Sequence, residues 1–242
     1  MAGHSKWSQI KRKKGKTDAD RSKVFTKIGR ELVVAVKAGG SDPNLNSRLR
    51  DVIAKAKAAN MPNDNISRSI KKASGELANV NYEEMVYEGY GVGGTAVIVE
   101  VLTDNKNRAA AELRFVFDRN GGALGTTGCV AYMFGSSGQI FCETQASLSE
   151  DDAMMIALEC GATDFVPIAD GYELLTAPSK LGSVREALEK VGWMVVSAEI
   201  AKIPTNNIRL DEDNAAKLQK MLDSLEDNDD VQRVWHNAEW DE

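Results

Sequence analysis

The stretch 138–201, GQIFCETQASLSEDDAMMIALECGATDFVPIADGYELLTAPSKLGSVREALEKVGWMVVSAEIA, changes periodicity four times, and that alternation decides the fold. Short runs rich in Val, Ile and aromatic residues predict strands over Gln139–Glu143, Asp164–Ile168, Tyr172–Thr176 and Met194–Ile200. Apolar residues at helical spacing predict helices over Glu150–Cys160 and Leu181–Val191. The order is strand, helix, strand, strand, helix, strand, which is the split βαβ or ferredoxin-like arrangement.

On either side lies material for a second sheet. Upstream, Glu84–Tyr90 and Thr95–Thr103 read as strands joined by Gly91-Val92-Gly93-Gly94, and Asn107–Asn120 reads as a helix capped by Gly121-Gly122. Downstream, Asp213–Leu225 reads as a helix and Val231–Ala238 as a strand. Further upstream the pattern is purely helical. Phe25, Ile28, Leu32 and Val36 share a face, and Gly39-Gly40 ends that helix. Leu49, Val52, Ile53 and Ala56 mark a second helix over Leu45–Ala59. Asn60-Met61-Pro62 breaks it, with Pro62 suited to the first turn of a third, which carries Ile66 and Ile70 and ends at Gly75. The expected fold is α+β: an N-terminal three-helix domain (1–78), followed by two ferredoxin-like α/β domains. The third domain (135–203) is inserted into a discontinuous second (79–134 and 204–242).

Composition narrows the function. No apolar run in the 242 residues approaches the roughly 18 that a membrane helix needs. The N-terminus lacks the apolar core of a secretory signal. A cytoplasmic protein with no membrane partner is expected. Cys129, Cys142 and Cys160 are widely spaced, and the only histidines are His4 and His236, so no zinc pattern exists. Free thiols in a reducing compartment are the expectation.

The net charge of −6 conceals a segregation. Residues 1–72 carry 18 Lys and Arg against 6 Asp and Glu, a net of +12. Residues 73–242 carry 12 against 30, a net of −18. Such asymmetry points to one part of the chain that meets a polyanion.

Two phosphate-loop lookalikes fail on context. Gly15-Lys16-Thr17 resembles the end of a Walker A loop, but Ile10 stands where the first glycine is required. Gly89-x-Gly91-x-x-Gly94 matches a dinucleotide fingerprint but opens a strand, where the fingerprint must open a helix. Asp151-Asp152 suits a helix N-terminus and Asp229-Asp230 a turn, and neither resembles a calcium loop. No nucleophile or acid–base constellation emerges. The reading is a non-enzyme with no catalytic residues, no cofactor, no metal and no small-molecule substrate.

The positive signal is the basic arm and the helix after it. Lys6, Lys11, Arg12, Lys13, Lys14, Lys16, Arg21, Lys23, Lys27 and Arg30 place ten cations in the first thirty residues, and Trp7 could stack on an exposed base. These eleven are the candidate nucleic-acid-binding residues. No recognition-helix, RNP or finger pattern accompanies them, so the expected contacts are to phosphate. Gly125-Thr126-Thr127-Gly128 is a second candidate, either an anion-cradling loop or a hinge.

Several strings resemble the YebC/PmpR family. Among them are Met1-Ala2-Gly3-His4-Ser5-Lys6-Trp7, Phe25-Thr26-Lys27-Ile28-x-Arg30-Glu31-Leu32, Ala59-Asn60-Met61-Pro62 and Tyr87-Glu88-Gly89-Tyr90-Gly91. So do Leu102-Thr103-Asp104-Asn105-Lys106-Asn107-Arg108, the run from Gly121 to Tyr132, and Val234-Trp235-His236-Asn237-Ala238-Glu239. The resemblance spans the chain. Ser22, Val92 and Trp235 depart from the family's usual Gly, Pro and Tyr. The resemblance implies three domains, no catalytic activity and no cofactor. Members are described as DNA-binding transcriptional regulators. A mitochondrial relative resembles a translational activator, and some bacterial members are described as acting on ribosomes stalled at proline-rich stretches. The implied partner is therefore DNA, or alternatively ribosomal RNA and the ribosome.

Overall fold

The computed structural model describes residues 18–75, 80–144 and 148–240, with side chains from Arg21 onward. In chain order come helices α1 (Asp18–Gly39), α2 (Ser47–Ala58) and α3 (Asn63–Ser74), then β1 (Glu83–Tyr90), β2 (Ala96–Thr103), α4 (Lys106–Arg119) and β3 (Ala123–Leu124). Next follow β4 (Phe134–Glu143), α5 (Glu150–Glu159), β5 (Asp164–Ile168), β6 (Gly171–Thr176), α6 (Leu181–Lys190), β7 (Val195–Pro204) and β8 (Ile208–Arg209). The chain closes with α7 (Glu212–Glu226), β9 (Val231–His236) and β10 (Ala238–Glu239). Two compact units result: one runs to Ala131 and includes Leu210–His236, and the other holds Tyr132–Arg209 with the chain from Asn237.

Within the first unit, α1, α2 and α3 bury Ile28, Leu32, Val36, Leu49, Val52 and Ile66 in one core. Asn46 sets the α1–α2 corner. Its side-chain oxygen accepts from Leu49 N at 3.0 Å, and its amide donates to Ala35 O at 2.7 Å and Gly40 O at 2.8 Å. This buried cap starts α2 at Ser47, two residues later than periodicity suggests, and leaves Leu45 outside the helix and exposed. Pro62 sits at the N-cap of α3, one position before the first turn.

The same unit holds a four-stranded antiparallel sheet, order β3-β1-β2-β9. The β1–β2 hairpin is central, so this sheet departs from the ferredoxin-like order, in which the hairpin lies to one side. Both helical returns bring their following strands, β3 and β9, to opposite flanks of the hairpin. The glycines of the dinucleotide lookalike have structural tasks here. Gly93 (φ 67°) and Gly94 (φ 75°) make the hairpin turn. A Cβ on Gly89 would stand 2.5 Å from Ala123 O and 2.7 Å from the Phe117 ring, so only glycine lets β3 lie against β1.

In the second unit the sheet order is β5-β6-β4-β7, fully antiparallel, which is the split βαβ order expected from 138–201. Its core gathers Ile140, Leu174, Ala153, Ala157, Val184, Leu188 and Trp193. Strand β4 begins at Phe134, five residues before the sequence signal, because Phe134–Gly138 lacks β-branched residues yet pairs with Ile200–Pro204 of β7. The expected strand Val231–Ala238 is divided at buried Asn237. Its first part pairs with β2, and its last residues pair in parallel with β8.

Candidate nucleic-acid interface

Among the candidate residues, Lys6, Trp7, Lys11, Arg12, Lys13, Lys14 and Lys16 lie outside the described residues. Arg21, Lys23, Lys27 and Arg30 lie on α1. Arg21 is exposed. The other three reach the α7–β9 turn. Lys23 Nζ pairs with Asp227 Oδ1 at 2.9 Å. Lys27 Nζ donates to Glu226 O at 2.6 Å, at the C-terminus of α7 where carbonyls lack helical partners. Arg30 donates to Asp229 O at 2.8 Å and to the Asp230 carboxylate, and its guanidinium lies 5.6 Å from the Tyr82 ring centroid.

Asp230 is the centre of this contact. It is 3% exposed and accepts from Arg30, from Arg108 Nη2 at 2.9 Å and from Thr103 Oγ1 at 2.9 Å. Burial raises its pKa, but the hydrogen bonds from Arg108, Thr103 and Arg30 outweigh that and hold the carboxyl below the ordinary aspartate range. The acidic turn is thus an internal counter-ion for α1.

Sequence reasoning missed the cations that remain open. Arg50 and Lys57 are two helical turns apart on the outward face of α2. Arg68, Lys71 and Lys72 are spaced i, i+3, i+4 on the outward face of α3. All five are exposed and, among the described residues, none of their side chains has a hydrogen-bond or ion-pair partner. Their neighbours Arg48 and Lys55 are engaged, with Glu84 and Glu31. These residues contribute to the +12 of the segment, but sequence alone does not separate open cations from those that the fold neutralises.

The Gly125–Gly128 loop is already occupied by a carboxylate of the chain. Glu88, 4% exposed on β1, accepts from Gly128 N at 2.7 Å, Val130 N at 2.9 Å and Ala131 N at 2.7 Å. Cys129 N donates to Thr126 O at 3.1 Å, and Tyr90 Oη donates to Cys129 O at 3.1 Å. One of these three backbone donors, Gly128 N, belongs to the loop, and the other two follow it. The side chains of Thr126 and Thr127 face solvent.

The cysteines are free. Cys142 is buried, and desolvation pushes its thiol up to about 12. Desolvation also raises Cys129 and Cys160. Among the described residues no cluster of His, Cys, Asp and Glu could hold a metal ion, and no helix is long and apolar enough to cross a membrane.

Comparison with known proteins gives a consistent picture. Residues 5–76 match the family model of the TACO1/YebC protein N-terminal domain, and residues 82–238 match that of the TACO1/YebC second and third domain. A "Probable transcriptional regulatory protein" of Clostridium botulinum (strain Okra / Type B1) is 58% identical over 242 residues, covering 100% of this chain and 98% of its own. One from Acetivibrio thermocellus is 57% identical, covering 98% of each. The crystal structure of a conserved hypothetical protein from Aquifex aeolicus superposes with a TM-score of 0.85 at 44% identity, covering 94% of both chains.

Proposed function

The chain belongs to the TACO1/YebC family, and on that premise we propose that it is a cytoplasmic, non-catalytic, nucleic-acid-binding regulator of gene expression that acts on DNA as a transcriptional regulator. The observation that carries this reading is the set of five exposed, unpartnered cations on α2 and α3, in a segment whose net charge is +12. Because none of them is held in an ion pair among the described residues, such cations displace condensed counter-ions from a phosphate backbone at little cost in lost internal contacts. Lys6, Lys11, Arg12, Lys13, Lys14 and Lys16 add six cations to the same segment of sequence, and Trp7 adds an aromatic ring suited to base stacking. Lys23, Lys27 and Arg30 hold α1 in place through the acidic turn, so that α2 and α3 present their outward faces. The names carried by the relatives support regulation of transcription as the outcome of binding.

Crosslinking the protein in cells and sequencing the attached nucleic acid tests the proposal. Promoter DNA is expected to dominate the reads. Reads dominated by ribosomal RNA would overturn it in favour of action on the ribosome.

A further inference from the structure

Helix α5 packs Ala153, Ile156 and Ala157 inward and turns Met154, Met155 and Leu158 outward. Ala153 and Ala157 are fully buried against the second unit's sheet. Met154, Met155 and Leu158 face solvent at 40%, 59% and 47% exposure. A helix that is apolar on both faces needs a cover on each. From α5 the core takes Ala153, Ala157 and the partly buried Ile156, and β4, β6 and α6 fill the rest with Ile140, Leu174, Val184 and Leu188. Folding therefore does not account for the two methionines and the leucine.

Charge around these residues has one sign. Glu150 precedes Met154 and Leu158 at four-residue spacing, and Asp151 precedes Met155 and Glu159 likewise, so carboxylates end both stripes. Helix α5 contains no Lys or Arg, and among the described residues Glu150, Asp151 and Glu159 form no ion pair. Methionine adapts its shape to different apolar partners, which suits a docking surface better than a fixed core.

We propose that the outer face of α5 is a docking surface for a cationic amphipathic helix of a partner protein. The partner's apolar side chains would cover Met154, Met155 and Leu158, and its Lys or Arg residues would meet Glu150, Asp151 and Glu159. Apolar contact gives the affinity, and the carboxylates exclude acidic competitors.

A fluorescently labelled 14-residue helical peptide of leucine and lysine at amphipathic spacing is the probe, titrated against the full chain. Binding is expected to saturate at one peptide per chain. The triple variant Met154→Ser, Met155→Ser, Leu158→Ser keeps every charge and is expected to weaken binding at least tenfold. Asp151→Lys with Glu159→Lys, which keeps the apolar residues, is expected to weaken it at least threefold. The altered side chains point to solvent, so thermal unfolding should stay close to that of the parent. Binding unchanged by the triple variant would mean that the peptide responds to overall acidity alone, and the proposal fails. It also fails if the parent chain is a dimer that the triple variant converts to monomer, since the cover would then be a second copy.

Discussion

Two guanidinium groups and a hydroxyl converge on the buried carboxylate of Asp230. Exposed pairs such as Lys23 with Asp227 contribute about 0–1 kcal/mol, whereas breaking a buried pair costs about 3–5 kcal/mol. Asp230→Asn is expected to destabilise the first unit by on the order of 3 kcal/mol at pH 7, measured by urea unfolding. The folded carboxyl is held below its unfolded value of about 3.9, so its contribution is fully present above that value and is lost as pH falls through the folded one. The gap between parent and variant should accordingly be wide at pH 7 and close in acid. A gap independent of pH would mean that the charge is irrelevant. A second test concerns Cys142. Its buried thiol should resist iodoacetamide at pH 7.5 in the folded chain and react fully in denaturant, followed by mass spectrometry. The contacts of the acidic turn are not visible in sequence, since the partners of Lys23, Lys27 and Arg30 lie about 200 residues away along the chain.

At the scale of elements, the structure explains motifs that looked chemical. The fingerprint glycines permit a turn and a close strand approach. Gly89→Ala is expected to cost about 1–3 kcal/mol through overpacking against Ala123 and Phe117, read as a lowered melting temperature. Glu88→Gln replaces one acceptor oxygen with a donor facing the N–H groups of residues 128–131. A loss of about 1–3 kcal/mol is expected, together with faster amide exchange at Gly128, Val130 and Ala131. Unchanged exchange there would mean that the loop holds itself without Glu88. Helices and long strands were legible because each has a periodicity of its own. The two-residue strands β3 and β8 were not, since their pairing depends on distant edges and leaves no local pattern.

For the whole molecule, the insertion of the second unit was legible from the order of elements on either side of 138–201. The strand order of the first sheet was not, because a central and a lateral hairpin have the same sequence pattern. The candidate interface was half legible. The charge segregation could be counted directly, but which cations are neutralised internally follows only from the folded contacts, and these move attention from α1 to α2 and α3. Phosphate binding by these open cations predicts a steep salt dependence of binding to a mixed-sequence DNA duplex. The parent should give a slope of log K against log salt of about −4 to −7, reflecting about five to eight neutralised phosphates. The variant Arg50→Gln, Lys57→Gln, Arg68→Gln, Lys71→Gln, Lys72→Gln should flatten it by about 2–4 while melting like the parent. A slope that the five substitutions leave unchanged would contradict the account.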